Sequence, residues 1–383
     1  MLRRILTGFI IGLISLSAGC AAQGPVSKAP ITPKLTTPQT TQSATLPAKP
    51  ANPPVPQPTV KAPLPAPKPK PIPKPKPAST APATPKAVIN LPVPPKPQYG
   101  VTAADIIQVE HMVMDLVNQD RQKSGLAPVT WDETAARAAS QHVQEEADYG
   151  YISHWGMDGA KPQLRYTRAG GLDAVDENES VTLWLQGGFQ GVSKDDLYKI
   201  VAQHESLMLN EQPPNDGHRK NILDPHHTGV GIDIAVGKYG IAMAQEFTNH
   251  YAVLNPVPLT AAAGSTVILS GRIFPGYQIT GVYALWEQLP QAMTKEQLMQ
   301  THSYSDPPWD NLHYWARPNP EGYYIKTSKG NIFAQNLSVD SQGNFSANIP
   351  LLDSHTLDYL TLELAPNSNA DDTFYAGQFV VQH

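Results

Sequence analysis

A stretch rich in proline and lysine limits where this chain can fold. From Gly24 to Pro97 the sequence is mainly proline, lysine, alanine and threonine, with KPKPIPKPKP near its centre. Proline has no amide hydrogen to donate, and the apolar residues of this stretch are too few to form a core. Repeated proline and like charges also favour an extended backbone. We therefore predict a disordered or polyproline arm, with the folded domains after it.

Charge separates this arm from the rest of the chain. Twelve of the 28 Lys and Arg residues precede Asp105 and no Asp or Glu does, so the remainder carries sixteen basic and 33 acidic residues. A domain that binds nucleic acid presents a basic surface. The composition therefore argues against a nucleic-acid partner.

The N-terminus has the layout of a secretory signal. MLRRILTGFIIGLISLSAGC begins with Arg3 and Arg4, continues with an apolar run and ends in small residues. Its apolar part is short for a membrane-spanning helix. We predict that residues 1–19 are a signal peptide.

Cys20, the single cysteine of the chain, stands where the signal ends. Ala18, Gly19 and Cys20 resemble the lipobox of bacterial lipoproteins, although Leu16 is one place further from the cysteine than usual. The resemblance implies that Cys20 is lipidated and anchors the protein to a membrane of the cell envelope, outside the cytoplasm. Ala21 implies the outer membrane where the cell has one. A plain signal peptide with an incidental cysteine is the alternative.

Residues 101–256 carry helical signals followed by a hairpin, after a lipidated linker that we place at residues 20–100. Thr102 with Asp105 predicts a capped helix start, and Asp132 and Ser193 begin two further helices. Apolar residues then alternate on both sides of a Gly237–Lys238 turn, which is typical of an antiparallel hairpin. The pattern predicts an α+β domain.

Residues 257–383 have the pattern of an all-β domain. Several short apolar runs are bounded by Gly, Pro, Asn and Ser, with one short helix predicted at Thr294. The pattern predicts a small β-sandwich.

Several motifs of the first domain together resemble one family. They are NQDRQKSGLAPVTWDETAARAASQHVQEEA, SHW at 153–155, DENES at 176–180, GHRKNIL at 217–223 and HTGVGI at 227–232. This set is similar to the CAP superfamily of cysteine-rich secretory, antigen five and pathogenesis-related-one proteins, in its disulfide-free bacterial form. The similarity covers roughly Ala103 to Tyr251. It implies a three-layer α-β-α sandwich, so we expect an α+β chain with this sandwich followed by the β-sandwich.

The resemblance also implies a cleft with two histidines and two glutamates. By position, His154, Glu177 and His218 match the family's residues. Glu211 is the best match for the second glutamate and Glu205 is its rival. Glu211 is preferred because it lies seven residues after His204, on the same side of a continued helix.

Many members of the family bind a divalent metal in this cleft. Imidazole and carboxylate groups are suitable ligands for zinc, which is the favoured ion, and carboxylates also suit magnesium or calcium. Each of these residues could instead have a purely structural role. His142 is interpreted as a solvated residue of its helix, and His226 and His227 as residues of a loop or of the edge of the core.

The leading functional hypothesis is a surface-anchored binding module for a lipid, a peptide or a cell-wall component. The alternative is a metal-dependent hydrolase or peptidase of the envelope. The sequence has no HExxH motif and no recognisable Ser-His-Asp or Cys-His arrangement, so a binding module is favoured over an enzyme. A third hypothesis places sugar binding on Trp309, Tyr314 and Trp315 of the second domain, although such aromatic residues more often pack at a domain boundary.

Overall fold

The computed structural model describes residues 98–185, 188–301, 303–354 and 356–383. The predicted signal peptide, Cys20 and almost all of the arm lie outside these residues. All described residues belong to one compact unit.

The three helices predicted in the first domain begin where local sequence signals place them. Helix α1 (Ala103–Lys123) starts with the predicted capping box of Thr102 and Asp105. Helix α2 (Glu133–Tyr149) is capped by the Asp132 side chain and ends at Gly150, whose φ of 72° is left-handed and suits glycine. The other three helices are α3 (Pro162–Arg168), α4 (Lys194–Leu209) and α5 (Gly217–Ile222).

A four-stranded sheet lies between these helices. Its strands are β1 (Thr130–Trp131), β2 (Ala174–Leu183), β3 (Gly229–Val236) and β4 (Gly240–Asn249). The order across the sheet is β1-β3-β4-β2, and β4 is antiparallel to both β2 and β3. Strand β2 is therefore an edge strand, and it carries the DENES motif.

Helices cover both faces of this sheet. Val113 of α1 and Val201 of α4 share one apolar cluster with Ile232 of β3. Val143 of α2 shares another with Ala242 of β4, on the opposite face. The predicted three-layer α-β-α sandwich is confirmed.

Gly231 of β3 allows α2 to approach the sheet closely. A Cβ atom at this position would collide with the backbone of Ala135 and Ala136. The polar side chains that α2 directs toward the sheet therefore lie within reach of those on the strands.

The second part of the chain is all-β apart from two helical turns, of which the one at Thr294 was predicted and the other is a 3-10 turn at Trp309–Asn311. Helix α6 (Lys295–Leu298) begins at the predicted Thr294 cap. The strands are β5 (Ala252–Leu254), β6 (Thr266–Ile273), β7 (Tyr277–Glu287), β8 (Leu312–Arg317), β9 (Tyr324–Thr327), β10 (Gly330–Phe333), β11 (Gln335–Asn336), β12 (Asn344–Pro350), β13 (Leu357–Pro366) and β14 (Phe374–Gln382).

Two sheets of this domain enclose a common core. The five-stranded sheet has the order β11-β8-β7-β13-β14 and the three-stranded sheet the order β12-β6-β5. Leu269 and Ile349 from the smaller sheet and Leu360 and Leu362 from the larger one belong to one buried cluster. This is the expected sandwich.

The aromatic residues near Trp309 pack inside the second domain. Trp315 is 2% exposed and lies parallel to Tyr283, and Trp309 packs edge-on against the same tyrosine. The prediction that these rings lie at the domain boundary was wrong, because Trp309 and Trp315 pack under the β9–β10 hairpin and Tyr314 lies in the core between the two sheets.

No helix among the described residues combines the length and the apolar character needed to cross a membrane.

Candidate functional site

The DENES strand directs polar side chains to both faces of the sheet. Successive side chains of a strand point to opposite faces. Glu177 and Glu179 accordingly face α2 and α3, whereas Asn178 and Ser180 face α4 and α5. Each face holds its own polar network.

Four buried glutamates lie on the α2 side of the sheet, and we call them the carboxylate cluster. They are Glu146, Glu177, Glu179 and Glu246, and none is more than 2% exposed. The buried His142, His154 and Arg165 surround them. Burying an ionised group requires a compensating partner, so the charges in this cluster determine what the site can hold.

Glu177 is the ionised member of the cluster. Its Oε1 lies 2.8 Å from His154 Nδ1, and its Oε2 accepts a hydrogen bond from Arg165. Burial acts to raise the pKa of this carboxyl, but the Arg165 charge and the His154 contact together hold the pKa well below its usual value. Arg165 also donates to the carbonyls of His154 at 2.9 Å and Ala160 at 3.1 Å.

The other three glutamates favour the neutral form. Burial raises the pKa of Glu179 and of Glu246, and the negative charge of Glu177 raises both further. Burial also raises the pKa of Glu146, with a further contribution from Glu179. The cluster therefore retains protons unless another positive charge enters it.

His142 links α2 to this cluster. It is 1% exposed, and its Nε2 lies 2.5 Å from Glu179 Oε1 and 2.7 Å from the Ser153 carbonyl oxygen. The interpretation of His142 as a solvated residue was wrong, because the side of α2 that carries it packs on the sheet.

His142, Glu177 and Glu179 have the geometry of a site that could hold a metal ion. One ligand atom from each lies within 4.8 Å of the other two. Glu179 Oε2 and both carboxylate oxygens of Glu246 have no hydrogen-bond donor among the described residues, and Glu179 Oε1 has only the His142 contact. Buried oxygens without donors fit a cation, because a cation supplies the positive charge that the protein itself does not.

The second predicted histidine lies on the α4 side of the sheet. Its Nδ1 is 2.6 Å from Glu211 Oε1, and the backbone amide of His218 donates to Glu211 Oε2 at 3.0 Å. Asn178 donates to the His218 carbonyl at 3.2 Å and accepts from Asn221 at 2.9 Å. His218 is therefore a buried residue tied to β2.

Glu211 reaches His218 from a different position than the sequence suggested. Helix α4 ends at Leu209, so Glu211 lies in the connection to α5 and not on a continued helix. Its rival Glu205 does lie on α4, where it is 1% exposed and accepts a hydrogen bond from Gln245. Burial raises the pKa of Glu205 to about 8.

The structure thus arranges the four predicted residues as two pairs. His154 pairs with Glu177 on one face and His218 with Glu211 on the other. The metal-capable group among the described residues contains only Glu177 of these four. That all four bind a single ion stays a prediction.

Sequence reasoning missed His142, Glu146, Glu179, Glu246 and Arg165. One signal was available in the DENES motif. Glu177 and Glu179 are two residues apart, so in a strand both side chains point to the same face of the sheet. His142 and Glu146 are four residues apart on α2 and so share one side of the helix. Nothing in the sequence alone indicated that this side faces those glutamates.

Comparison with known proteins identifies the first domain. Residues 114–255 match the model of the cysteine-rich secretory protein family, CAP. This part of the chain is a CAP superfamily domain, as the motifs and the three-layer fold indicated.

Two curated relatives and one solved structure are similar to this region. The uncharacterized protein YkwD of Bacillus subtilis is 26% identical over 155 residues, covering 40% of this chain and 50% of that protein. The uncharacterized membrane protein YlbC of Bacillus subtilis is 30% identical over 129 residues, covering 32% of this chain and 31% of that protein. An extracellular protein from Bacillus anthracis containing an SCP domain is 25% identical, with a TM-score of 0.30 and coverage of 39% of this chain and 44% of that one.

Proposed function

We propose that this chain is a lipid-anchored binding protein of the cell envelope, and that a divalent cation stabilises its CAP domain. The observation that carries the cation is the carboxylate cluster, where one buried arginine, Arg165, serves four buried glutamates, so that Glu146, Glu179 and Glu246 retain protons. YlbC is a membrane protein by its description, which is compatible with this location.

His142, Glu177 and Glu179 are the residues that would hold the ion. One imidazole and two carboxylates suit zinc, and manganese is the next candidate because it accepts a higher share of oxygen ligands. Binding requires the carboxylates to be ionised, so protons compete with the metal. The ion would replace the protons that the cluster otherwise retains.

Burial favours a structural role for this site over a catalytic one. A catalytic zinc site keeps one position open for water or substrate, whereas His142, Glu177 and Glu179 are each at most 2% exposed. Ligand binding by the domain would therefore occur at the surface above the cluster. No contact in the described residues favours the hydrolase alternative.

Metal binding is tested by melting experiments on the whole chain. We expect zinc to raise the melting temperature of the wild type at pH 7.5, because an ion that binds the native state stabilises it by mass action. The shift should be much smaller at pH 5, where protons occupy the glutamates. Glu179→Gln should abolish the shift, whereas Glu211→Gln should retain it.

Other outcomes distinguish the possible ligand sets. Zinc could instead raise the melting temperature of Glu179→Gln but not that of Glu211→Gln. That outcome would assign the metal to the four residues predicted from the sequence. A wild type that responds to none of zinc, manganese, magnesium and calcium would refute the cation.

The anchor is tested by membrane fractionation. Cys20→Ser should release the protein from membranes, because no acyl chain can be attached to serine at this position through a thioether. Ser27→Ala is the matched control in the same arm and should stay in the membrane fraction. Unchanged fractionation of Cys20→Ser would contradict the anchor.

A further inference from the structure

The connection between β7 and β8 is far longer than the strand pairing requires. The two strands are antiparallel neighbours, with Tyr283 opposite Trp315. Two to five residues normally join such a pair. Here the connection runs from residue 288 to residue 311 and extends over the CAP domain. We call it the strap.

The first half of the strap is attached to the end of α2 and the loop after it. The amide of Met293 donates to the Met157 carbonyl at 2.8 Å. Lys295 Nζ donates to the Tyr149 carbonyl at 2.7 Å and also lies over the Tyr239 ring. These contacts bring the second half of the strap to the SHW motif.

At the SHW motif, residues 303–308 of the strap form neither a helix nor a strand. Ser303 and Ser305 are exposed, whereas Tyr304 between them is 6% exposed. This alternation is typical of an extended segment that turns one side toward a surface.

The CAP domain holds this segment mainly through its backbone. Ser153 Oγ donates to the Thr301 carbonyl at 2.6 Å, and Trp155 Nε1 donates to the Ser303 carbonyl at 3.2 Å. Lys161 Nζ donates to the Ser305 carbonyl at 3.0 Å. Successive carbonyls in this set are two residues apart, which is the spacing at which an extended chain directs its groups to the same side. Because the three donors bind backbone atoms, they select little for the side chains of the segment.

Tyr304 places its side chain in the site. Its hydroxyl accepts a hydrogen bond from the Glu177 amide at 3.2 Å, and its ring packs edge-on against His154 with centroids 5.0 Å apart. The buried tyrosine thus contacts both members of the His154–Glu177 pair.

We propose that this surface of the CAP domain is a peptide-binding groove that the strap occupies within the same chain. Its ligand is an extended segment of another protein that carries a tyrosine in the place of Tyr304. The donors Ser153, Trp155 and Lys161 bind alternate carbonyls of that segment. The inference deepens the proposed binding function by naming its ligand class, and it does not depend on the cation.

Competition between the strap and a peptide tests this proposal. The probe is a fluorescein-labelled peptide with the sequence of residues 300–308, titrated with the full chain in detergent and followed by fluorescence anisotropy. In the wild type the strap blocks the groove, so binding should be weak. Tyr304→Ala weakens the competitor and should tighten binding by about tenfold, which corresponds to about 1.4 kcal/mol.

Matched controls separate the groove from a general loosening of the fold. Tyr324→Ala removes a tyrosine from the β9–β10 hairpin of the same domain and should leave peptide binding at the wild-type level. A peptide with alanine in place of its tyrosine should not bind any of these proteins. The double variant with Trp155→Phe and Tyr304→Ala should not show the tighter peptide binding of Tyr304→Ala, since phenylalanine cannot donate a hydrogen bond to a carbonyl.

A folded Tyr304→Ala chain that binds the peptide no better than the wild type would overturn the groove. If that variant does not fold, Tyr304→Phe replaces it, because it keeps the ring and loses only the hydroxyl. Peptide binding by Tyr304→Phe that is tighter than in the wild type, even by less than tenfold, would support the proposal. A peptide affinity equal to that of the wild type would overturn it. A zinc-dependent melting shift without peptide binding would refute the groove alone, and peptide binding without a metal response would refute only the cation.

Discussion

Replacing Arg165 with methionine is expected to cost the protein roughly 3–5 kcal/mol of unfolding free energy at pH 7. Arg165 is 9% exposed and bonds to Glu177, whose carboxylate is fully buried. Methionine fills similar space but supplies no charge, so Glu177 must either remain ionised without its main partner or take up a proton. The measurement is urea unfolding followed by circular dichroism.

Arg168→Met is the matched control on the same helix. Arg168 forms an ion pair with Asp158 in which the two side chains are 44% and 53% exposed. Exposed pairs contribute about 1 kcal/mol or less, so the loss should be small. A similar loss in both variants would mean that α3 is sensitive to any substitution and would refute the role assigned to Arg165.

The pH dependence of Arg165→Met identifies Glu177 as the origin of the loss. A carboxyl whose folded-state pKa lies below its unfolded value contributes stability above the unfolded pKa, and this contribution disappears as the pH falls through the folded pKa. The pKa of Glu177 is lowered in this way. The deficit of Arg165→Met should therefore be largest near neutral pH and shrink in acid, and adding Glu177→Gln should restore part of it.

Local sequence signals predicted three helices and the hairpin of the first domain because their causes are local. Thr102 and Asp105 form a capping box across three residues, and Gly150 ends α2 at a left-handed position. Such interactions involve neighbours in the sequence, so they can be read without knowing the tertiary structure. These signals predicted an α+β domain, whereas its three layers were implied by the resemblance to the CAP superfamily.

The site could be predicted only in part because its contacts join distant elements. His142 lies on an alanine-rich helix and looked solvated, yet Glu179 and the Ser153 carbonyl lie within 2.7 Å of its Nε2. Glu211 was assigned to a continued α4, but the helix ends at Leu209 and the chain returns to His218 through a connection. Residue type and spacing identified the histidines and glutamates, whereas their partners depend on how helices pack against the sheet.

The strap illustrates the same limit in the second domain. The sequence predicted the short helix at Thr294 and the strands on either side of it. It gave no indication that Tyr304 would lie against His154, because that contact requires the two domains to be placed together.

Glu205→Gln is expected to stabilise the protein increasingly as the pH rises, by roughly 2–5 kcal/mol at pH 8. Burial raises the pKa of Glu205 from 4.5 to about 8, and Gln245 is its hydrogen-bond donor. An acid whose pKa is raised on folding binds its proton more tightly in the native state, so stability is complete below the unfolded pKa and declines as the pH rises toward the folded pKa. The decline amounts to about 1.4 kcal/mol per pH unit between these two values. Glutamine resembles the protonated carboxyl, still accepts from Gln245 and cannot ionise.

Urea unfolding of wild type and Glu205→Gln from pH 4.5 to pH 9 checks this expectation. The difference between the two proteins should be small at pH 4.5, grow steadily and level off above about pH 8. Glu321→Gln removes an exposed glutamate of the second domain and should show no such trend. A difference that stays constant over the whole range would mean that Glu205 does not change its protonation on folding. Metal binding should be the same in Glu205→Gln as in the wild type, because Glu205 lies on the face of the sheet opposite the carboxylate cluster and stabilises the α4 layer only.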